Sequence, residues 1–200
     1  MKMAFSHPQE KPCILMGMEW SGAVLAGGQS RRFGQDKARY CYRGRPLLQW
    51  VLEGLEQASE RFVVANQAYP VAVPIYPDLR PGGDTLSGLH TALARARCEW
   101  VAVAACDQPF LQQDYWCYIL KRILPEAQAV IAASEGFLEP LGGLYHKSLE
   151  AEVAWRLEAG QLGLQALLRS VPHVTVPKDE LEARFGPQLF LNANRPQDLP

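Results

Sequence analysis

The chain has 200 residues, of which 48% are hydrophobic and 20% charged, and a net charge of −1; this suits one ordinary globular domain and excludes a global electrostatic attraction to nucleic acid or to an anionic membrane surface. No apolar run approaches the about 20 residues of a membrane helix, and Cys13-Ile14-Leu15-Met16 is too short for the roughly 7–15-residue core of a signal peptide. The five cysteines, an odd number with no CxxC pair, suggest neither a disulfide framework nor a zinc site and are expected as free thiols in a cytoplasmic protein.

Residues 1–17 read as a mobile tail ahead of a single domain over 18–200. Short apolar runs then alternate with stretches of helical spacing. Gly22–Ala26 is a buried strand running into glycines. Leu47–Ala58 repeats apolar residues at Leu48, Val51, Leu52 and Leu55, the spacing of a helix. Arg61–Ala65 is a second strand, and Val71–Tyr76 a third, interrupted by Pro74. Leu86–Ala96 is a helix, Trp100–Ala105 a strand buried on both faces, and Gln112–Leu124 a helix stopped before Pro125. Ala129–Ala133 and Leu141–Tyr145 are strands, Ser148–Leu157 and Leu164–Arg169 helices, and Val174–Val176 and Leu189–Leu191 late strands. Strands without polar alternation, separated by helices, imply a mostly parallel sheet covered on both faces, hence one three-layer α/β domain. In such sheets ligands bind beyond the carboxyl ends of the strands. The residues that follow Ala26, Ala65, Tyr76 and Ala105 are therefore the candidates for a site.

The first of these loops reads Leu25-Ala26-Gly27-Gly28, followed by Gln29, Ser30, Arg31, Arg32, Phe33, Gly34, Gln35, Asp36 and Lys37. Glycine lets a backbone approach a phosphate closely, and Arg and Lys supply countercharge. The spacing is neither a P-loop nor a dinucleotide-binding GxGxxG. By itself it is also compatible with a glycine turn and a solvated basic segment. Asp107 ends an apolar strand, a place for a metal-holding carboxylate or for a turn acceptor that caps the next helix. Asn192 and Asn194 are two apart and share a face if the segment is extended, as oxygen donors or as turn asparagines before Pro196.

The string LAGGxSxRxGxxK closely resembles the signature of nucleotidyltransferases, and most of all that of the molybdenum cofactor guanylyltransferases. Three further segments resemble motifs of the same family in the same order: Cys106-Asp107-Gln108-Pro109-Phe110 (CDxPF), Glu139-Pro140-Leu141 with Leu144-Tyr145, and Phe190 to Leu199 (FxNxNTPxDL). The resemblance spans about Gly22 to Leu199. It implies a Rossmann-like nucleotidyltransferase fold and a magnesium-dependent transfer of GMP from GTP to the terminal phosphate of molybdopterin, with release of pyrophosphate. It implies GTP and molybdopterin as partners, with transient contact to molybdenum-insertion or molybdoenzyme-maturation proteins, and neither nucleic acid nor membrane.

Carried over position by position, the resemblance makes Lys37 and Asp107 the catalytic pair. It lines the nucleotide with Leu25, Ala26, Gly27, Gly28, Arg31, Lys37, Asn66, Asp78 and Asp107. Mg²⁺ falls to Asp107 with Asn192, and the acceptor phosphate to Asn194. Guanylyltransferases of this family read LAGG where cytidylyltransferase relatives read LAAG, and the nucleotide preference is expected to rest on Gly28. The chain departs from the family in two places. Asp84 and Thr85 replace the glycine and proline of a GPLxGL string, and Gly160-Gln161-Leu162-Gly163 lacks the arginines that some members carry there.

The expected chemistry needs no general base. A phosphate monoester has a second pKa of about 6, so its nucleophilic oxygen is largely ionised at neutral pH. The barrier lies in bringing two anions together, which positioning and charge neutralisation lower. The rival readings are a cytidylyltransferase or sugar-phosphate nucleotidyltransferase of the same fold, and a nucleotide-binding module that has lost its chemistry.

Overall fold

The computed structural model describes residues 17–27, 36–82 and 84–200. The expected tail, residues 1–17, lies outside this set except for Gly17, as do Gly28, Arg31 and the rest of residues 28–35. The described strands are β1 (Trp20–Leu25), β2 (Cys41–Tyr42), β3 (Arg45–Pro46), β4 (Glu60–Val64), β5 (Ile75–Tyr76), β6 (Trp100–Ala105), β7 (Ala129–Ser134), β8 (Phe137–His146) and β9 (His173–Pro177). The helices are α1 (Leu47–Gly54), α2 (Asp84–Arg95), α3 (Gln113–Leu120), α4 (Glu150–Glu158), α5 (Leu164–Ser170) and α6 (Lys178–Phe185).

Seven strands form one sheet in the order β5-β4-β1-β6-β8-β7-β9. All neighbours pair in parallel except at β8, which runs antiparallel to both β6 and β7. The strands alternate between two apolar layers rather than between oil and water. Val24, Val63, Ala102, Ala104, Val130 and Ala132 face a core with residues of α1, α3 and α6. Ala23, Phe62, Val64, Val101, Val103 and Ile131 face a second core with residues of α2, α4 and α5. This two-sided burial is why the strands carry no polar period.

The sheet is mostly parallel, as expected, with β8 its antiparallel member; one correction is to the extent of β8, which runs ten residues and starts at Phe137 rather than Leu141. Its leading half overhangs the carboxyl end of β6, since the shared register ends at Val103 opposite Gly143. A second correction concerns Leu189–Leu191, which is not a strand. Leu189 and Phe190 are buried in the first core, so the apolar signal there marks a core plug. Two elements had no readable pattern: the β2–β3 hairpin, two residues a side, and the polar helix α6, in which Leu181 is the buried residue. The hairpin turns through Arg43 (φ 47°) and Gly44 (φ 81°), the double left-handed geometry of a tight hairpin.

The chain builds β1, β4 and β5 outward on one side, then returns through α2 to place β6 on the other side of β1. The crevice beyond β1 and β6 is thus the switch point of the sheet, where ligands of such folds bind. Two backbone bonds extend the ladder past the strand ends there: Ala26 N–H donates to the Val64 carbonyl at 2.9 Å and Cys106 N–H to the Leu25 carbonyl at 3.0 Å. Helix α1 is held tight to the segment after Asp107 by Gly54. A Cβ on Gly54 would fall 2.0 Å from the Leu111 carbonyl oxygen.

Candidate active site

Asp107 stands two residues past β6. Its backbone carbonyl accepts from the Ala193 N–H at 2.9 Å, and its carboxylate receives the Lys37 ammonium, Nζ to Oδ2, at 2.8 Å. The same ammonium donates to the Asn194 side-chain oxygen at 2.8 Å. The side chains of Lys37 and Asp107 are only 17% and 15% exposed, so the pair is partly shielded and its attraction exceeds that of a surface ion pair. Asp107 does not cap α3: the residue at that cap is Gln112, and it makes no side-chain capping bond.

The C-terminal segment comes to this end of the sheet because several contacts pin it. Ala193 is fully buried and bonded to Asp107. Tyr42 of the hairpin donates its hydroxyl proton to the Pro200 carbonyl at 3.1 Å. Asp198 Oδ2 accepts from the Arg195 N–H at 2.7 Å. Asn194 N–H turns back to the Asn192 carbonyl at 2.7 Å. That is a three-residue turn, so Asn192 and Asn194 are not related by strand alternation. Asn194 joins Asp107 at the Lys37 ammonium; both asparagines are exposed.

A carboxylate oxygen and an amide oxygen therefore converge on one positive charge. Hard oxygen donors of this kind suit a divalent cation such as Mg²⁺, with the Lys37 ammonium as the stand-in cation. Among the described residues no group of three or more His, Cys, Asp or Glu side chains gathers as a metal cage. Such a metal would then take its remaining ligands from phosphate oxygens and water.

Asn66 and Asp78 form the other side of the crevice, past β4 and β5. Asn66 Nδ2 donates to Asp78 Oδ2 at 2.8 Å, and Asp78 N–H donates to Asn66 Oδ1 at 2.9 Å. This two-way bond fixes both side chains. Gly27 faces them: a Cβ there would come 4.0 Å from Asp78 Oδ2, with no other heavy atom of the described residues within that distance. Guanylyl and cytidylyl strings, LAGG and LAAG, differ at their third letter, which is Gly27. Gly28, to which the nucleotide preference was attached, lies outside the described residues; at Gly27 a methyl group would project at Asp78. Leu25 points elsewhere. Its side chain lies against Gly88 of α2, where a Cβ would come within 3.0 Å of Leu25 Cδ1, so only its backbone is placed to meet a ligand. Asp84 takes φ 47°, a left-handed conformation that glycine favours. This fits the glycine of the family's string at that position.

Sequence reasoning missed several residues that shape the site. Asp36 caps the 3-10 turn Lys37–Arg39, its side chain accepting from Ala38 N–H at 3.0 Å. Gln67 and Tyr69 bond to Asp36 from the β4–β5 connection. Gln108 is 2% exposed and braces the end of β6, accepting from Ala105 N–H and donating to the Leu141 carbonyl. Asp36 and Gln108 lie inside motif strings but read there as spacing; Gln67 and Tyr69 carry no local signal. Beside Asp107, burial pushes the Cys106 thiol up to about 12, reinforced by the negative charges of Asp107 and Asp36 and partly offset by Lys37. Burial thus favours the neutral thiol.

A family model described as the MobA-like NTP transferase domain matches residues 22–176. The chain is 38% identical over 185 residues to the probable molybdenum cofactor guanylyltransferase of Deinococcus radiodurans, covering 90% of this chain and 91% of that protein. It is 28% identical to the protein of the same name from Bacillus licheniformis, covering 88% and 92%. Among solved structures, the molybdopterin-guanine dinucleotide biosynthesis protein A of Archaeoglobus fulgidus superposes with a TM-score of 0.75 at 26% identity, covering 90% of this chain and 94% of that one. A 2-C-methyl-D-erythritol 4-phosphate cytidylyltransferase from Thermus thermophilus superposes with a TM-score of 0.65 at 22% identity, a likeness of fold alone.

Proposed function

Because this chain belongs to the MobA-like NTP transferase family, we propose that it is a molybdenum cofactor guanylyltransferase, an enzyme that transfers GMP from GTP to the terminal phosphate of molybdopterin and releases pyrophosphate. The observation that carries this reading is the meeting of Lys37, Asp107 and Asn194 at the switch point of the sheet, in a chain similar over nine-tenths of its length to proteins of that name. A cytidylyltransferase is not favoured, since the likeness to one is of fold alone.

In this reading the ionised acceptor phosphate attacks the α-phosphorus of GTP in line, a new P–O bond forms, and the bond to the β-phosphate oxygen breaks. The leaving pyrophosphate carries away the charge, so catalysis is largely neutralisation and alignment. Lys37 turns its ammonium to the β- and γ-phosphates. The backbone of Ala26 and Gly27 lines the nucleotide, with Gly28 and Arg31 completing that loop, and the locked Asn66–Asp78 pair walls the pocket. When bound, Mg²⁺ would supply positive charge at the α-phosphate; Asp107 would hold it, with Asn194 in preference to Asn192 as the amide oxygen, because Asn194 shares the Lys37 ammonium with Asp107. The setting is cytoplasmic, where GTP is abundant, and no described helix is long and apolar enough to cross a membrane. Transient contact with molybdenum-insertion or molybdoenzyme-maturation proteins follows from the product being a cofactor to be delivered.

The test is pyrophosphate release from GTP in the presence of Mg²⁺, with and without molybdopterin. Release that depends on molybdopterin, with the guanine dinucleotide as product, is expected. GTP binding without release would leave only a nucleotide-binding module.

A further inference from the structure

Tyr69 lies in the irregular connection between β4 and β5, yet it is only 7% exposed. Its hydroxyl sits 3.2 Å from the Ala26 carbonyl oxygen and 3.3 Å from Asp36 Oδ1. One proton is thus shared between two acceptors that flank the glycine and arginine loop, one at each end. Gln67, from the same connection, donates Nε2 both to the Tyr69 hydroxyl oxygen and to Asp36 Oδ2, the latter at 2.8 Å. The Arg39 guanidinium lies 5.2 Å from the centre of the Tyr69 ring, and its Nε bonds Asp36 Oδ2 at 3.3 Å. Asp36 in turn caps the turn that begins with Lys37.

The consequence is geometric. Lys37 belongs to a three-residue turn, too short to fix its own direction. Its ammonium must nevertheless meet Asp107 and, in the reaction, phosphates that rest on the backbone of Ala26 and Gly27. Among the described residues, the Tyr69 hydroxyl and the Asp36 carboxylate tie the Lys37 turn to Ala26. We propose that Tyr69 is a positioning residue for the nucleotide phosphates, its hydroxyl holding the Asp36–Lys37 turn in register with the end of β1. It touches no reacting atom; it acts through Asp36 on Lys37. Burial keeps the hydroxyl protonated and able to donate throughout the neutral range, lifting it to about 12.

This inference rests on the reading that Lys37 faces the phosphates, and the experiment separates the two. Affinities for GTP and for guanosine are measured for the wild type, Tyr69→Phe, Lys37→Ala and the double variant. Phenylalanine keeps the ring that fills the core, so the fold is retained. Tyr69→Phe is expected to weaken GTP about five- to tenfold, the usual worth of one hydrogen bond in a charged network, with guanosine unchanged. In the Lys37→Ala background it is expected to add no further loss. Gln67→Leu, an exposed change, is expected to shift GTP in the same direction by less. If Lys37→Ala spares the GTP-to-guanosine ratio, the phosphate reading of Lys37 fails, and the inference falls with it. If Lys37→Ala behaves as expected but Tyr69→Phe is silent, weakens GTP and guanosine alike, or adds fully to Lys37→Ala, Tyr69 is a packing residue and the inference alone is overturned.

Discussion

The Lys37 ammonium and the Asn194 amide oxygen meet at 2.8 Å across 157 positions of the chain, so the C-terminal segment completes a site that the first loop begins. Asn194, not Asn192, shares that cation with Asp107. Asn194→Ala should therefore raise the Mg²⁺ concentration needed for half-maximal turnover by about tenfold, the scale of one lost oxygen contact to a cation. Asn192→Ala should leave the Mg²⁺ requirement within about twofold. Magnesium titrations of both variants check this; the reverse ranking would return the metal to Asn192.

Replacing Asp107 tests the charge itself. Asp107→Asn keeps the shape and the backbone carbonyl that receives Ala193, but removes the negative charge that pairs with Lys37. Turnover is expected to fall about 10³-fold, equivalent to about 4 kcal/mol of transition-state stabilisation. The thermal midpoint should move by only a few degrees, because no core contact is lost. Turnover near the wild-type value at saturating Mg²⁺ would show that Asp107 is not the metal ligand.

Gly27→Ala asks where the nucleotide preference sits. A methyl group there meets only the Asp78 carboxylate, 4.0 Å away, among the described residues, so the apo protein should tolerate it. It would crowd the side of the pocket walled by the Asn66–Asp78 pair. A purine needs more of that space than a pyrimidine. In competition between GTP and CTP at equal concentration, the preference for GTP should drop by about tenfold or more, the scale set by one misplaced methylene-sized group. An unchanged ratio would mean that Gly27 serves only the turn.

Alkaline pH gives a test of the Tyr69 clasp that does not depend on activity. Burial raises the Tyr69 hydroxyl from its ordinary value near 10 to about 12, opposed by the Gln67 bond and supported by Asp36. A raised acid favours the protonated form in the folded state. Its contribution to stability is therefore complete below about pH 10 and is lost as the pH rises toward 12. Denaturant midpoints between pH 9 and 12 should fall less steeply for Tyr69→Phe than for the wild type. Burial raises Tyr115 and Tyr145 as well; they are common to both proteins, so the difference in slope reports Tyr69.

Much of this protein was legible because its elements obey local rules. The run Trp100–Ala105 fell on β6 residue for residue, since a strand buried on both faces shows as an unbroken apolar run. The helical spacing of α1 and α2 marked faces that pack on the two cores. Asp107, Asn66 and Asp78 each fall two residues past a strand, β6, β4 and β5, where such sheets expose their ligand crevice, and Lys37 was named by the first motif string. What the sequence left open was decided by contacts between distant residues. Periodicity cannot tell β8 from a parallel strand, because direction is set by the neighbours it bonds. Nor can it tell a core plug such as Leu189 and Phe190 from a strand, since burial alone produces the same apolar signal. The choice of Asn194 over Asn192 came from a three-residue turn and a carbonyl of Asp107, and the clasp of Tyr69 on Ala26 and Asp36 from a loop with no periodicity. Apart from that turn, those are relationships of distance in space, between groups 33 to 157 positions apart in the chain, and only the folded chain brings them together.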